Sequence, residues 1–231
     1  MADRAIVLLS GGMDSATALA VAKSKAFDVI ALTIDYGQRH RKELGAARKI
    51  AQHFKITDHR IVHLDLTSVG GSALTDETIA IPEGRSPQEI GRAIPVTYVP
   101  ARNTVFLSYA LAVAEATGAK AIFIGANAID FSGYPDCRPE YYDAFQEVAR
   151  LGTKRGVEGD VIEIHTPLIS MSKADIVRLG ERLGVPWKIT WSCYKGERAA
   201  CGVCDSCQLR LRGFQEAGVV DTVPYRRAPG A

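Results

Sequence analysis

A chain of 231 residues, 47% of them hydrophobic, can bury a core without disulfide help, so one large domain or a domain with a small appendage is expected. The 28 Lys and Arg against 26 Asp and Glu leave a net charge of +2, which supplies no general electrostatic pull towards nucleic acid. No secretory leader is visible and no apolar run approaches the ~18 residues that span a bilayer, so a cytoplasmic protein with no membrane partner is expected.

In chain order, a short apolar strand over residues 5–9 leads into Ser10-Gly11-Gly12-Met13-Asp14-Ser15, and a helical stretch follows over 15–25. Where a strand hands over to a helix, two glycines let backbone N–H groups approach an anion, and the helix adds unpaired donors and a positive dipole end. Ser10 and Ser15 add hydroxyls. Asp14 is awkward beside phosphate unless it caps the helix or holds Mg2+. A Walker A loop would need a lysine directly after the glycines, and none occurs before Lys23, so a metal-bound polyphosphate fits better than a mononucleotide P-loop.

Further apolar runs at 29–34, 60–64, 121–124 and 161–164 read as buried strands. Helical patterns lie between and after them at 41–54, 103–117, 140–151 and 172–183. This alternation predicts an α/β fold, a doubly wound and mostly parallel five-stranded sheet of Rossmann-like type. Ligands in such sheets sit beyond the carboxyl ends of the strands, so the segments after residues 9, 34, 124 and 164 are where chemistry is expected. Between 67 and 100 the pattern breaks into Gly, Ser, Thr and Pro, and a segment of this length reads as a flap over the site or as a contact with a second copy in a homodimer.

Of five cysteines, Cys193, Cys201, Cys204 and Cys207 crowd together with C-x7-C-x2-C-x2-C spacing. Four thiolates close a tetrahedral site, which suits one structural zinc ion, with an iron–sulfur cluster and a redox pair as the alternatives. Lying between Trp191 and a helical pattern at 206–217, the cluster reads as a staple for the C-terminal segment.

Taken together, these segments carry a resemblance. The loop at 10–15 is similar to the pyrophosphate loop of the N-type ATP pyrophosphatases. Together with Tyr98-Val-Pro-Ala-Arg-Asn103, the stretch from Gly125 to Glu140 and the four cysteines, it resembles the 7-cyano-7-deazaguanine synthase family of queuosine biosynthesis over nearly the whole chain. The resemblance implies an adenine nucleotide alpha hydrolase-type domain over 1–185, with 67–100 as a flap or insertion, and a four-cysteine zinc segment over 186–231 packed on it. It also implies an ATP-dependent C–N ligase that acts on 7-carboxy-7-deazaguanine and ammonia with ATP and Mg2+ and takes no nucleic acid as substrate. A tRNA thiolase or another amide-forming ligase sharing the loop is the alternative within the enzymes, and a nucleotide-binding sensor is the alternative outside them.

Under that resemblance, nucleotide contacts are expected at Leu8, Leu9, Ser10, Gly11, Gly12, Met13, Asp14, Ser15, Ala16, Thr17 and Ala18, and at Asp35, Arg102 and Lys173. Arg102 and Lys173 stand at predicted helix starts, where a cation runs against the dipole unless an anion sits nearby. For Lys173 the plain alternative is a solvated lysine inside the Ser172–Asp175 capping box. Asp35, Tyr36 and Gln38 end the second strand and border the ribose or adenine. A deazaguanine presents N–H donors that call for carboxylates, making Asp130 and Asp136 candidates, with turn or cap roles as the alternative. Phe131 and Tyr134 offer stacking faces, and Arg138 a partner for the substrate carboxylate. Ser10, Asp14 and Lys173 are the expected catalytic groups. Cys137, outside the metal cluster, is either a nucleophile or a buried thiol. The histidines form no triad or metal pair.

Overall fold

The computed structural model describes residues 2–86, 89–90, 93–127, 133–195 and 198–226. Its elements are β1 (Arg4–Leu8), α1 (Met13–Ser24), β2 (Asp28–Asp35), α2 (Lys42–His53), β3 (Asp58–His63), α3 (Arg102–Thr117), β4 (Ala121–Phe123), α4 (Pro139–Gly152), α5 (Lys154–Val157), β5 (Glu163–His165), α6 (Lys173–Arg182) and α7 (Asp205–Ala217). The strands form one parallel sheet in the order β3-β2-β1-β4-β5, with Ile6 beside both Ile30 and Ile122.

The sheet is covered on both faces because its central strands are apolar over Ala5–Leu8, Val29–Leu32 and Ala121–Phe123 while side chains alternate in direction. Ile6, Leu8, Ile30, Leu32, Ile34 and Ile122 pack against α3 and α4 through Leu107, Leu111, Tyr142 and Phe145. Ala5, Val7, Val29, Ala31 and Phe123 face α1, α2 and α6 through Leu19, Ile50 and Ile176. Trp187 and Phe214 of the C-terminal region join this second layer, their rings 5.3 Å apart edge to face. A fully buried side chain such as Phe123 contributes about 1.5–3 kcal/mol.

The outer strands differ from the expectation of buried runs. β3 and β5 have no buried position, every residue being exposed or half-buried, because each is an edge strand. Within residues 161–164 the strand begins only at Glu163, although Ile162 is fully buried. The short α5 was not foreseen. Its start is capped by Thr153, whose hydroxyl accepts the Gly156 N–H at 2.9 Å.

The described part of 67–100 holds a 3-10 turn at Thr67–Val69 and otherwise irregular backbone, yet Ser72, Ala73, Leu74, Thr97 and Val99 are buried. Ala73 N–H donates to Val96 O (2.7 Å) and Arg39 N–H to Leu74 O (3.0 Å), which ties this segment to the end of β2.

Candidate active site

β1 runs directly into the glycine loop. Leu9 N–H continues the pairing to Leu32 O (2.9 Å), and the Thr33 hydroxyl donates to Leu9 O (2.6 Å), so the strand end is fixed before the turn begins. Gly11 has φ +95°, and a Cβ there would overlap the Glu43 carbonyl and lie 2.8 Å from Ala47 N, so only glycine fits against the first turn of α2. Gly12 is the N-cap of α1, and among the described residues no side chain caps that helix. The start of α1, through Gly12, Met13, Asp14 and Ser15, lines the crevice beyond β1, the arrangement that binds phosphate oxygens. Ser10 and Ser15 shape the turn. Their hydroxyls lie 3.0 Å apart, Ser10 Oγ accepts Gly12 N–H (3.3 Å), and Ser15 Oγ donates to Gly12 O (3.1 Å). Ala16, Thr17 and Ala18 are buried inside α1, with the Thr17 hydroxyl donating to Met13 O (2.9 Å), and support the loop from behind.

Lys173, at the first position of α6, reaches Asp14 in the first turn of α1 with Nζ 2.6 Å from Oδ2. The capping box also exists: the Ser172 hydroxyl accepts Asp175 N–H and the Asp175 carboxylate accepts Ser172 N–H. Cap and contact coexist, and the lysine is not solvated. Gly213 makes this possible, because a Cβ there would stand 2.6 Å from the Lys173 Cβ and push α7 off α6. The second carboxylate oxygen, Asp14 Oδ1, is buried and has no hydrogen-bond partner among the described residues. A buried carboxylate oxygen without a donor is unfavourable, and an oxygen-ligated cation such as Mg2+ fits it.

Across the crevice, Gly125 follows β4, and a Cβ on it would lie 2.7 Å from the Asp14 carbonyl group, so the β4 end presses against α1. β1 and β4 are neighbours whose following helices cover opposite faces of the sheet, which makes this the topological switch point. A cavity of ≈ 270 Å³ opens there. Leu8, Leu9, Ser10, Gly12, Met13, Asp14, Ser15 and Lys173 line one side, and Tyr36, Arg102, Asn103, Phe106, Tyr134 and Cys137 the other. Asp35 stays outside it, holding Gly37 N–H (3.3 Å) at the turn after β2.

Asp136 is buried, but as a cap: its Oδ2 accepts Asn103 N–H (3.1 Å) in the first turn of α3, and its carbonyl accepts from Asn103 Nδ2 (3.1 Å) and the Tyr142 hydroxyl (3.0 Å). The cap serves α3, not the following α4. Arg138 is exposed, donates to Pro135 O (3.2 Å) and does not line the cavity. Tyr134 is buried, its hydroxyl 3.0 Å from Thr97 Oγ1 and 3.4 Å from the Tyr194 hydroxyl. Asp130 and Phe131 lie outside the described residues. The Cys137 thiol accepts from Asn103 Nδ2 (3.5 Å), and burial together with the charge of Asp136 pushes it up to about 11 despite Arg102 and Lys173. A thiol held neutral at physiological pH is a poor nucleophile.

Sequence reasoning missed several wall residues. His40 is buried with Nε2 3.3 Å from Glu43 Oε2, and Gln38 Nε2 donates to Glu43 Oε1 (2.9 Å). Trp191, Ser192 and Tyr194 flank Cys193, and Arg210 comes from α7. Their position after β2 was a usable signal for His40 and Glu43. Nothing local marks Arg210, which is saturated by Asp221 (2.7 and 2.9 Å), Thr190 Oγ1 (2.7 Å) and Trp187 O (3.3 Å).

Cys193, Cys201, Cys204 and Cys207 are all buried, with sulfurs within 4.8 Å of one another. Four sulfurs about 2.3 Å from one zinc ion would stand ~3.8 Å apart. Cys201 Sγ and Cys207 Sγ are 3.9 Å apart, and backbone N–H groups of Cys201, Val203 and Cys204 point at the sulfurs from 3.3–3.5 Å. Hydrogen bonds from Cys204, Cys207 and the local backbone hold Cys193 far below the usual thiol range against the pull of burial. These four sulfurs could together hold one metal ion. The site is joined to the loop, since Trp191 N–H donates to Gly11 O (2.8 Å), and to the 67–100 segment, since Gly84 N–H donates to Val203 O (2.9 Å), Arg85 pairs with Asp205 and Glu83 with Lys195.

No described helix is long and apolar enough to cross a membrane. Among solved structures, NMN synthetase from Francisella tularensis aligns over 94% of this chain and 78% of that chain, at 15% identity and a TM-score of 0.48. Among curated proteins, the 7-cyano-7-deazaguanine synthase of Nostoc punctiforme is 55% identical over 222 residues, 96% of this chain and 99% of that protein. The protein of the same name from Anaeromyxobacter dehalogenans is 56% identical over 227 residues, 98% of this chain and 97% of that protein. The names of these curated relatives do not favour the thiolase alternative. The profile of the family described as "Queuosine biosynthesis protein QueC" matches residues 4–218, and the chain belongs to that family of 7-cyano-7-deazaguanine synthases.

Proposed function

We propose that this chain converts 7-carboxy-7-deazaguanine to 7-cyano-7-deazaguanine in two activations at one site, with free ammonia as nitrogen donor. The observation that carries the reading is the single cavity that sets the uncapped start of α1 and the Asp14–Lys173 pair opposite the aromatic wall of Tyr36, Phe106 and Tyr134. A carboxylate is a poor electrophile until its oxygen carries a leaving group. Attack of the ring carboxylate oxygen on the α-phosphorus of ATP forms the C–O–P bond as pyrophosphate leaves with the electron pair of the broken P–O bond. The N–H groups of α1 meet the charge that develops on that pyrophosphate, on a turn shaped by the Ser10 and Ser15 hydroxyls. Lys173 holds Asp14 in place, leaving Oδ1 for Mg2+, which when bound supplies further charge neutralisation on the phosphates. Ammonia attacks the acyl carbon, AMP leaves with the electron pair of the broken C–O bond and a proton is lost to give the amide. The amide oxygen then attacks the α-phosphorus of a second ATP as pyrophosphate leaves, and loss of the two N–H protons with departure of the oxygen on AMP leaves the nitrile.

In this reading residues 1–185 form the ATP pyrophosphatase unit and 186–231 a zinc-binding segment. The four cysteines would hold Zn2+ in a structural role, closing the tetrahedron and leaving no open position for substrate. Four reduced thiols and soluble substrates suit the cytoplasm. Pyrophosphate release is the direct test. It should require both ATP and the carboxylate substrate and should be lost in Lys173→Met, whereas pyrophosphate formed without any carboxylate would refute the reading.

A further inference from the structure

We propose that Arg102 receives the ring carboxylate of the substrate and is the residue that selects carboxylate in the first activation. This rests on the function proposed above. Among the described residues, three Lys or Arg side chains line the cavity: Arg102, Lys173 and Arg210. Two of them are neutralised by carboxylates: Lys173 by Asp14 at 2.6 Å, and Arg210 by Asp221 at 2.7 and 2.9 Å. Arg102 is held differently. Its guanidinium lies 5.8 Å from the Tyr36 ring, 6.0 Å from Phe106 and 6.0 Å from Tyr134, and among the described residues no acidic side chain forms an ion pair with it. Aromatic faces stabilise a cation without cancelling its charge, and the side-chain hydrogen bond that Arg102 shares with Tyr36 is to a neutral hydroxyl, so its positive charge remains uncompensated for a planar anion.

Position separates this anion from the phosphates. The uncapped N-terminus of α1 and the Asp14–Lys173 pair belong to helices on one face of the sheet, whereas Arg102, Phe106 and Tyr36 belong to the α3 side. Tyr36 and Phe106 are 5.5 Å apart and tilted, offering flat surfaces beside the guanidinium for a heteroaromatic ring. A carboxylate accepting two N–H bonds from Arg102 keeps lone pairs free to attack phosphorus, and its pairing offsets the repulsion between two anions brought together. Arg138, the earlier candidate for this contact, is exposed and outside the cavity.

The amide made in the first half of the reaction has no negative charge, and this gives the test. In R102Q, kcat/KM for 7-carboxy-7-deazaguanine should fall about 100-fold, mainly through KM, while the KM for ATP and the conversion of supplied amide to nitrile should stay within about threefold. R102K, a point charge without the fork, should lose about tenfold on the carboxylate and keep the amide step. A parallel loss on carboxylate and amide, or a rise in ATP KM, would assign Arg102 to the phosphates and overturn the proposal, as would an unchanged carboxylate KM in either variant. Failure of the unaltered protein to make nitrile from either substrate would instead refute the proposed function.

Discussion

The two halves of the cavity wall are built by different means. The phosphate side is made by backbone: β1 pairs on both edges, its end is fixed by Leu32 O and Thr33, and an uncapped helix supplies the donors. The C-terminal side and the 67–100 segment contain little regular structure and are held by cross-links. Four sulfurs, the Arg85–Asp205 and Glu83–Lys195 pairs, and the Arg210–Asp221 pair, whose arginine also bonds the Trp187–Thr190 turn, hold the irregular chain together. A backbone-built site depends on close approach and fails through added volume. A cross-linked site depends on a few bonds and fails when they are removed.

The largest expected effect breaks the cross-linked side. Removing the metal by chelation, or replacing the fully buried Cys204 with serine, should unfold the segment around the cysteines, since structural zinc sites carry on the order of 10 kcal/mol of binding free energy. Hydrogen exchange should rise at residues 83–85 as well as at 193–207, because the two stretches are tied together. Increased exchange confined to the cysteines would show that the ties to 83–85 do not matter.

Next comes the charge at the phosphate side. Lys173→Met should lower kcat by about 10²–10³-fold, the scale of losing one preorganised electrostatic partner of the transition state, with a melting temperature close to that of the unaltered chain. A comparable loss of both activity and melting temperature would make Lys173 a packing residue. On the same side, Gly11→Ala should cost about 3 kcal/mol, equivalent to about 6–12 °C for a chain of this size, through a positive φ and collision with α2. Thermal unfolding checks this directly, and a shift below 2 °C would mean that α2 yields easily.

The smallest effect is expected at Cys137. Its thiol favours the neutral form in the fold, so the stability it contributes is complete below the ordinary thiol pKa and fades as pH rises towards about 11. Cys137→Ser should retain turnover within about threefold, and alkylation of Cys137 should be slow at pH 7 and accelerate only towards pH 11. Abolished turnover in a well-folded serine variant would return the thiol to the mechanism.

Much of this was legible in the sequence because the relevant signals are local. The strand–glycine–helix order at residues 5–25 and the cysteine spacing are short-range patterns, and the apolar runs of β1, β2 and β4 reflect burial on two faces. The edge strands were misjudged because pairing on one side only cannot be read from β-branched content. Asp136 could be read as a cap, but that it caps α3, more than 30 residues earlier, is a tertiary fact. The same holds for Lys173, whose partner Asp14 is 159 residues away, and for His40 and Arg210, whose roles exist only once α2, α7 and the loop are packed together.

The central claim is that one site activates first a carboxylate and then the amide it has made. The most direct test is a mass-spectrometric time course with 7-carboxy-7-deazaguanine, ammonium and ATP, run beside one that starts from the amide. The account predicts that the amide mass rises and is then consumed as the nitrile appears, that supplied amide and ATP give the nitrile without ammonium, and that AMP and pyrophosphate accompany both steps. An amide that accumulates and is never dehydrated, or release of ADP and phosphate in place of AMP and pyrophosphate, would contradict it.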